Sequence, residues 1–281
     1  MHSAKAAEAT TRTRAIFLLP AQKPPYHVYC NPFYEHAGFG NVFSVDATGA
    51  LQSNIQNYAY SPESAIHGMA FDCTESYLYS ADMWANRIWT HAKDAATGLL
   101  TPVGSVAAPR AGDAPRWVAI HPSGAHLYAL MEHGNSLAEY AIDPATRCPV
   151  PTGRAWPLVP PFVLQRAPHM YRADVCALAP SGRTLFATAR SNEKGVPGYI
   201  AAFALAETGA VECQVLLQQT ATSGGHSNAV APCPWSDEWV ALTDDEVGFI
   251  EMWRWDGTFL ARVARCEVKE PGFGMNAVWW D

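Results

Sequence analysis

A pattern of short apolar runs and turns that returns about every fifty residues limits what this chain can fold into. It is clearest over Asp113–Tyr140. There Trp117–Ile120 is continuously apolar, Pro122-Ser123-Gly124 is a turn signal, and Leu127–Met131 and Ser136–Tyr140 are further runs. Strands that are apolar throughout must be covered on both faces, which a lone hairpin sheet cannot arrange and a stack of similar sheets can. The unit recurs at His67–Trp89, Arg172–Phe203 and His226–Trp253. Tyr79, Tyr128, Phe186 and Val240 occupy one slot, separated by 49, 58 and 54 residues. A period of this length built from strands and turns is that of a β-propeller blade. A helical solenoid of similar period would need amphipathic helices, and none is read here.

The expected organisation is all-β: a disordered polar lead over 1–13, then one propeller domain over 14–281. Blades are expected at about 14–60, 64–112, 113–168, 170–222 and 225–270, with Gly153–Met170 as a Pro-rich surface excursion. Gly272–Asp281 reads as one further inner strand, because Asn276-Ala277-Val278 repeats Asn228-Ala229-Val230. That makes five blades and an orphan strand.

Charge and cysteine usage exclude several functions. The net charge of −7 argues against nucleic acid or an anionic membrane surface as partner. The seven cysteines are odd in number, scattered and without a C-x-x-C pair, which predicts buried reduced thiols in the cytoplasm. No apolar run reaches membrane-spanning length, and the start is not a secretory signal. Phosphate-loop, nucleophile-elbow, zinc-protease and EF-hand motifs are absent, and the ten histidines lack zinc-ligand spacing, so neither metal nor cofactor is expected.

In a propeller the first strand of each blade lines the central channel. Two repeat slots therefore carry candidate chemistry. One opens the inner strand: His67, Arg116, Asp174, His226 with Asn228, and Asn276. The other follows the second strand: Glu132, Arg190 and Asp244. Each has a bland alternative. His67 could bond a neighbouring loop, Arg116 and Glu132 could be a structural ion pair, Arg190 could be solvated, and Asp174 and Asp244 are expected to hold backbone N–H groups. Their coincidence at equivalent slots favours a site.

Longer strings carry a resemblance. KPPY, NPFY, GNVFSV, IHGM, ESYLYSAD, PRWVA, YALMEHGN, YRADVCAL, TSGGHSNAV, PCPWSDEW and PGFGMNA run through 13–281. Together they resemble the fungal 3-carboxy-cis,cis-muconate cyclases, a branch of the seven-bladed β-propeller lactonase family. Members of that family carry about two more N-terminal blades. The resemblance implies a cycloisomerase of the protocatechuate branch of the β-ketoadipate pathway, in which aromatic compounds are degraded. It would close a small tricarboxylate diene to a γ-lactone without a metal. It places the family's active-site residues on His67, Arg116, Glu132 and Arg190. Arg116 and Arg190 would hold carboxylates and the charge that develops on them. His67 is the first choice as general acid, because imidazole titrates near neutrality unaided, and Glu132 is the second. His226 would add a substrate contact. The rivals are a propeller-type 6-phosphogluconolactonase and a catalytically impaired paralogue acting as a scaffold. A homo-oligomer remains open.

Overall fold

The computed structural model describes residues 15–34, 36–227 and 229–280. The expected disordered lead and the slot residue Asn228 lie outside the described residues. Among the described residues twenty strands form five antiparallel sheets of four, each laid down in sequence order. Blade one comprises β1 (Leu18–Pro20), β2 (Val28–Cys30), β3 (Phe39–Val45) and β4 (Leu51–Ala59). Blade two comprises β5 (Ile66–Phe71), β6 (Tyr77–Asp82), β7 (Arg87–Lys93) and β8 (Leu100–Ala107). Blade three comprises β9 (Pro115–Ile120), β10 (His126–Met131), β11 (Ser136–Ile142) and β12 (Pro149–Pro157). Blade four comprises β13 (Tyr171–Leu178), β14 (Thr184–Ser191), β15 (Tyr199–Leu205) and β16 (Val211–Gln219). Blade five comprises β17 (Val230–Pro232), β18 (Trp239–Asp244), β19 (Phe249–Trp255) and β20 (Leu260–Glu267).

The second strand of each later blade is buried almost throughout, whereas the fourth is largely exposed in blades two, three and five and mostly half-buried in blade four. This explains the continuous apolar runs: β6, β10, β14 and β18 are sandwiched between blades. The apolar core is accordingly divided into four clusters, each spanning two consecutive blades. A blade has little apolar interior of its own and buries its faces against its neighbours.

The repeat slot identified from sequence at Tyr79 and Tyr128, together with Tyr29 of blade one, which that reading did not include, ties blades together. The Tyr29 hydroxyl of blade one donates to the Gly98 carbonyl of blade two at 2.7 Å. The Tyr79 hydroxyl of blade two donates to the Arg147 carbonyl of blade three at 2.8 Å. Tyr128 of blade three donates to the Gly209 carbonyl of blade four. In blade four the slot holds Phe186, whose ring instead meets Trp255 of blade five edge-on, centroids 5.6 Å apart. All three hydroxyls reach the turn between the outer two strands of the next blade, so each turn's geometry is read by its neighbour.

Three expectations are corrected. The outer strand β12 takes in 153–157 of the supposed excursion, leaving 158–170 as a link with one short helix, α1 (Pro161–Arg166). Prolines 149, 151 and 157 are tolerated because β12 is an edge strand, where one row of backbone N–H groups needs no ladder partner. The closing segment 272–280 forms no strand, having no ladder partner among the described residues. It is held through Trp279, whose indole N–H donates to the Ala231 carbonyl at 3.0 Å. The cysteines are free, but only Cys30, Cys176 and Cys233 are buried, while Cys73, Cys213 and Cys266 are exposed. No helix among the described residues is long and apolar enough to cross a membrane.

Replacing Tyr128 by Phe leaves the buried Gly209 carbonyl without its donor. Unfolding free energy should fall by about 1–2 kcal/mol. A urea melt coincident with that of the parent would show that the hydroxyl carries no blade-to-blade tie.

Candidate active site

Inner strands β5, β9, β13 and β17 stand side by side, and at their ends the regular ladder is broken three times. The β5–β6 register shifts between Ile66 and Met69, releasing His67 and Gly68 from pairing. On β9, Pro115 and Trp117 pair with consecutive residues of β10, leaving Arg116 as the extra residue. The β13–β14 register shifts between Ala173 and Cys176, which frees Asp174 and Val175. A bulge bends a strand and re-aims the side chain it carries. The three inner-strand candidates of blades two to four therefore sit at bulges, where their side chains can converge rather than follow the pleat.

They converge on a cleft of about 1020 Å³ lined by His67, Arg116, Glu132, Arg172, Arg190 and His226, among others. Arg116 is the centre of the cluster. Its Nε donates to His67 Nε2 at 3.0 Å and lies 3.1 Å from Glu132 Oε2, and Nη1 contacts Asp174 Oδ1. One guanidinium thus joins blades two, three and four. Arg190 donates from Nη1 to the carbonyls of Gly225, at 3.3 Å, and His226, and its Nε lies 3.9 Å from Asp174 Oδ1. Gly68 permits the close approach: a Cβ there would lie 2.9 Å from both the Arg116 carbonyl oxygen and the Trp117 Cα.

The electrostatics differ from the sequence expectation at His67. Its Nε2 accepts from Arg116, so the ring is the neutral tautomer with its proton on Nδ1. Nδ1 is buried and has no hydrogen-bond partner among the described residues. The Phe33 ring stands edge-on to the imidazole, centroids 5.5 Å apart. Burial, then repulsion from Arg116 and Arg190, pushes the His67 pKa down from its ordinary 6.5 to about 2. The expectation that this imidazole titrates near neutrality is therefore corrected. Burial likewise pulls Arg116 down to about 9, against the opposing pull of Glu132, which leaves it charged at neutral pH.

Glu132 lies just beyond β10, between Arg116 and Arg172. The His226 side chain is 82 % exposed, and its Nδ1 lies 3.0 Å from Asp245 Oδ2. It is the backbone carbonyl of His226 that meets Arg190. Asp244 holds the backbone N–H groups of Gly224, Glu246 and Val247, as expected of a structural carboxylate. Asp174 does not fit that expectation, because it faces the guanidiniums of Arg116 and Arg190. Sequence reading passed over Arg172 and Asp245. For Arg172 a signal existed: it lies two residues before Asp174, hence on the same face of β13. No cluster of three or more His, Cys, Asp or Glu side chains among the described residues could hold a metal ion. What the site offers is three guanidiniums, two carboxylates and a neutral imidazole at one wall.

Residues 34–227 match the family model described as lactonase, 7-bladed beta-propeller. The chain is 58% identical over 281 residues to carboxy-cis,cis-muconate cyclase of Neurospora crassa, covering 99% of this chain and 76% of that protein. It is 33% identical over 181 residues to muconate cycloisomerase 1 of Cutaneotrichosporon cutaneum, covering 62% of this chain and 47% of that one. Among solved structures, the periplasmic gluconolactonase of Pseudomonas aeruginosa superposes with a TM-score of 0.66 at 16% identity, over 86% of this chain and 67% of that chain. At that identity the likeness extends to the fold alone.

Two outcomes follow from this geometry. Gly68→Ala must separate β5 from β9, because backbone lies where the methyl would go, and kcat/KM should fall at least tenfold with the fold retained; unchanged kinetics would show that the His67–Arg116 contact does not depend on that approach. His67 makes folding pH-dependent with a definite sign. Below pH 6.5 the unfolded chain binds a proton that the folded site, with a pKa of about 2, refuses. The native state therefore loses stability as pH falls, by about 2 kcal/mol between pH 7 and 5. In His67→Gln that increment should vanish from urea melts at the two pH values. An identical acid limb in the variant would mean that His67 is not buried neutral.

Proposed function

The chain belongs to the seven-bladed β-propeller lactonase family, and on that premise we propose that it is a cycloisomerase closing 3-carboxy-cis,cis-muconate to a γ-lactone. The observation that carries this reading is a neutral imidazole held by a guanidinium at one cleft, in a chain 58% identical to a carboxy-cis,cis-muconate cyclase. In the reaction a carboxylate oxygen of the substrate forms a C–O bond to a carbon of the conjugated double bond. The π pair moves to the carbon α to a second carboxylate, and that carbon takes up a proton. A trianion and one proton become a dianionic lactone, with no oxidation and no water consumed.

The chemistry makes two demands. Negative charge grows on the α-carbon and on the oxygens of its carboxylate, and it must meet fixed positive charge. Arg116 and Arg190 supply that charge, held in place by Glu132, Asp174 and backbone carbonyls. Such preorganised charge needs no reorganisation during reaction, and single donors of this kind contribute roughly 3–4 kcal/mol elsewhere. The second demand is the proton. His67 delivers it, with Glu132 orienting Arg116 rather than serving as the acid. The free imidazole is neutral because burial and two guanidiniums disfavour its charge. A trianion beside those guanidiniums reverses that field, so proton and substrate enter the site together, and Arg116 Nε releases the ring nitrogen as it becomes protonated. The seven free thiols support a cytoplasmic location.

The kinetic consequence is specific. Because free His67 stays unprotonated down to a pKa of about 2, log kcat/KM should fall by about one per pH unit across pH 5.5–8. Loss of the diene's ultraviolet absorbance measures it. A plateau breaking near 6.5 would indicate an ordinary imidazole and reject the scheme. His67→Gln should abolish turnover while changing KM less than threefold. Release of acid from 6-phosphogluconolactone, with no effect on the diene, would instead establish the hydrolase rival.

A further inference from the structure

The three guanidiniums of the cleft are not equivalent. Arg116 is occupied by Glu132, Asp174 and His67, and Arg190 by two backbone carbonyls with Asp174 nearby. Both side chains are only 8 % exposed. Arg172 lines the same cleft with its side chain 39 % exposed, and Glu132 Oε1 stands 3.9 Å from its Nη1, too far for a hydrogen bond. Its Nε, like that of Arg190, is buried and finds no acceptor among the described residues, but unlike Arg190 it donates to no backbone carbonyl there. A buried donor left in that state is costly and calls for a partner.

The strand register adds an independent observation. Arg172 on β13 and Arg190 on β14 are directly opposed Cα partners. Like charges placed directly opposite across a ladder repel, so the pair costs stability unless an anion lies between or above it. Burial, and after it the Arg190 charge, lowers the Arg172 pKa, with Glu132 pulling the other way. An incoming carboxylate would relieve that repulsion, and the planar fork of Arg suits carboxylate geometry.

We propose that Arg172 is a specificity-determining residue that binds the substrate carboxylate not engaged in ring closure. This rests on the cycloisomerase reading. Ring closure itself uses two carboxylates, one as nucleophile and one to accept developing charge. A muconate diene has only those two, and the 3-carboxy compound has one more. The two relatives at 58% and 33% identity are named for reactions of substrates that differ by this one group. Arg116 and Arg190, fixed by internal partners, serve the charge that changes during reaction. Arg172, not so fixed, grips a group that does not change. Binding of an unreacting group is uniform between ground and transition states, so it appears in KM rather than in kcat.

The test compares the parent protein, Arg172→Lys and Arg172→Met on 3-carboxy-cis,cis-muconate and on cis,cis-muconate, the latter as substrate or as competitive inhibitor. For the tricarboxylate, KM should rise at least tenfold in Arg172→Met and at least threefold in Arg172→Lys, with kcat within threefold of the parent. For the dicarboxylate, KM or Ki should change less than threefold. Equal losses on both dienes, a fall in kcat with KM unchanged, or a tricarboxylate KM within threefold of the parent would each overturn the assignment. If Arg172→Met fails to fold, Arg172→Lys, which keeps the charge and loses the fork, decides by the same criteria. A parent protein inert towards the carboxydiene would reject the cycloisomerase reading itself, which separates that failure from a failure of Arg172.

Discussion

A guanidinium at 7% exposure cannot be left without counter-charge, and Arg116 finds its partners on three different blades. Breaking such a buried pair from one side costs several kcal/mol, because the remaining charge is stranded away from water. Correct stacking of blades two, three and four is therefore a condition for burying Arg116, and burying Arg116 assembles the site. The same interaction sets the state of His67. With Arg116 Nε directed at its Nε2, the imidazole can be an acceptor there and cannot carry a charge in the free protein.

The rest of the fold supplies this guanidinium with a rigid surround. The apolar core is divided between consecutive blades, and the interfaces between blades one to four are made twice over, by apolar packing and by a hydroxyl-to-turn bond. The inner strands carry bulges within that surround. Three of them have one, which places His67 and Arg116 in the cleft wall and Asp174 buried behind it. Gly68 then allows β5 to approach β9 more closely than any residue with a Cβ would permit. Regular pairing is given up where the chemistry is and retained elsewhere.

Blade positions were legible because a strand buried on both faces leaves a continuous apolar run, and a propeller repeats that run at a fixed period. The polar slots were legible for the same reason: once Tyr79, Tyr128 and Phe186 are aligned, His67, Arg116 and Glu132 fall at corresponding ends of strands. What the sequence hides is register. A bulge is a property of two strands together, and neither string around Arg116 or Asp174 announces one. The titration of His67 was misjudged because it depends on Arg116, Arg190 and the depth of the cleft, which are distant in sequence. Arg172 was overlooked because the repeat directed attention to one residue per strand, while β13 contributes two on one face.

The difference between occupied and unoccupied guanidiniums gives the site an internal logic. A residue that must stabilise charge as it develops is most effective when it is already fixed, so that nothing reorders at the moment of reaction. Arg116 and Arg190 meet that requirement through partners supplied by the protein. A residue that must recognise a group arriving from solution needs donor capacity not already taken. Arg172 has it, and the like charge opposite it on Arg190 gives an incoming anion a further gain. Two neighbouring strands can thus carry guanidiniums of opposite duty, distinguished not by residue type but by what each already holds.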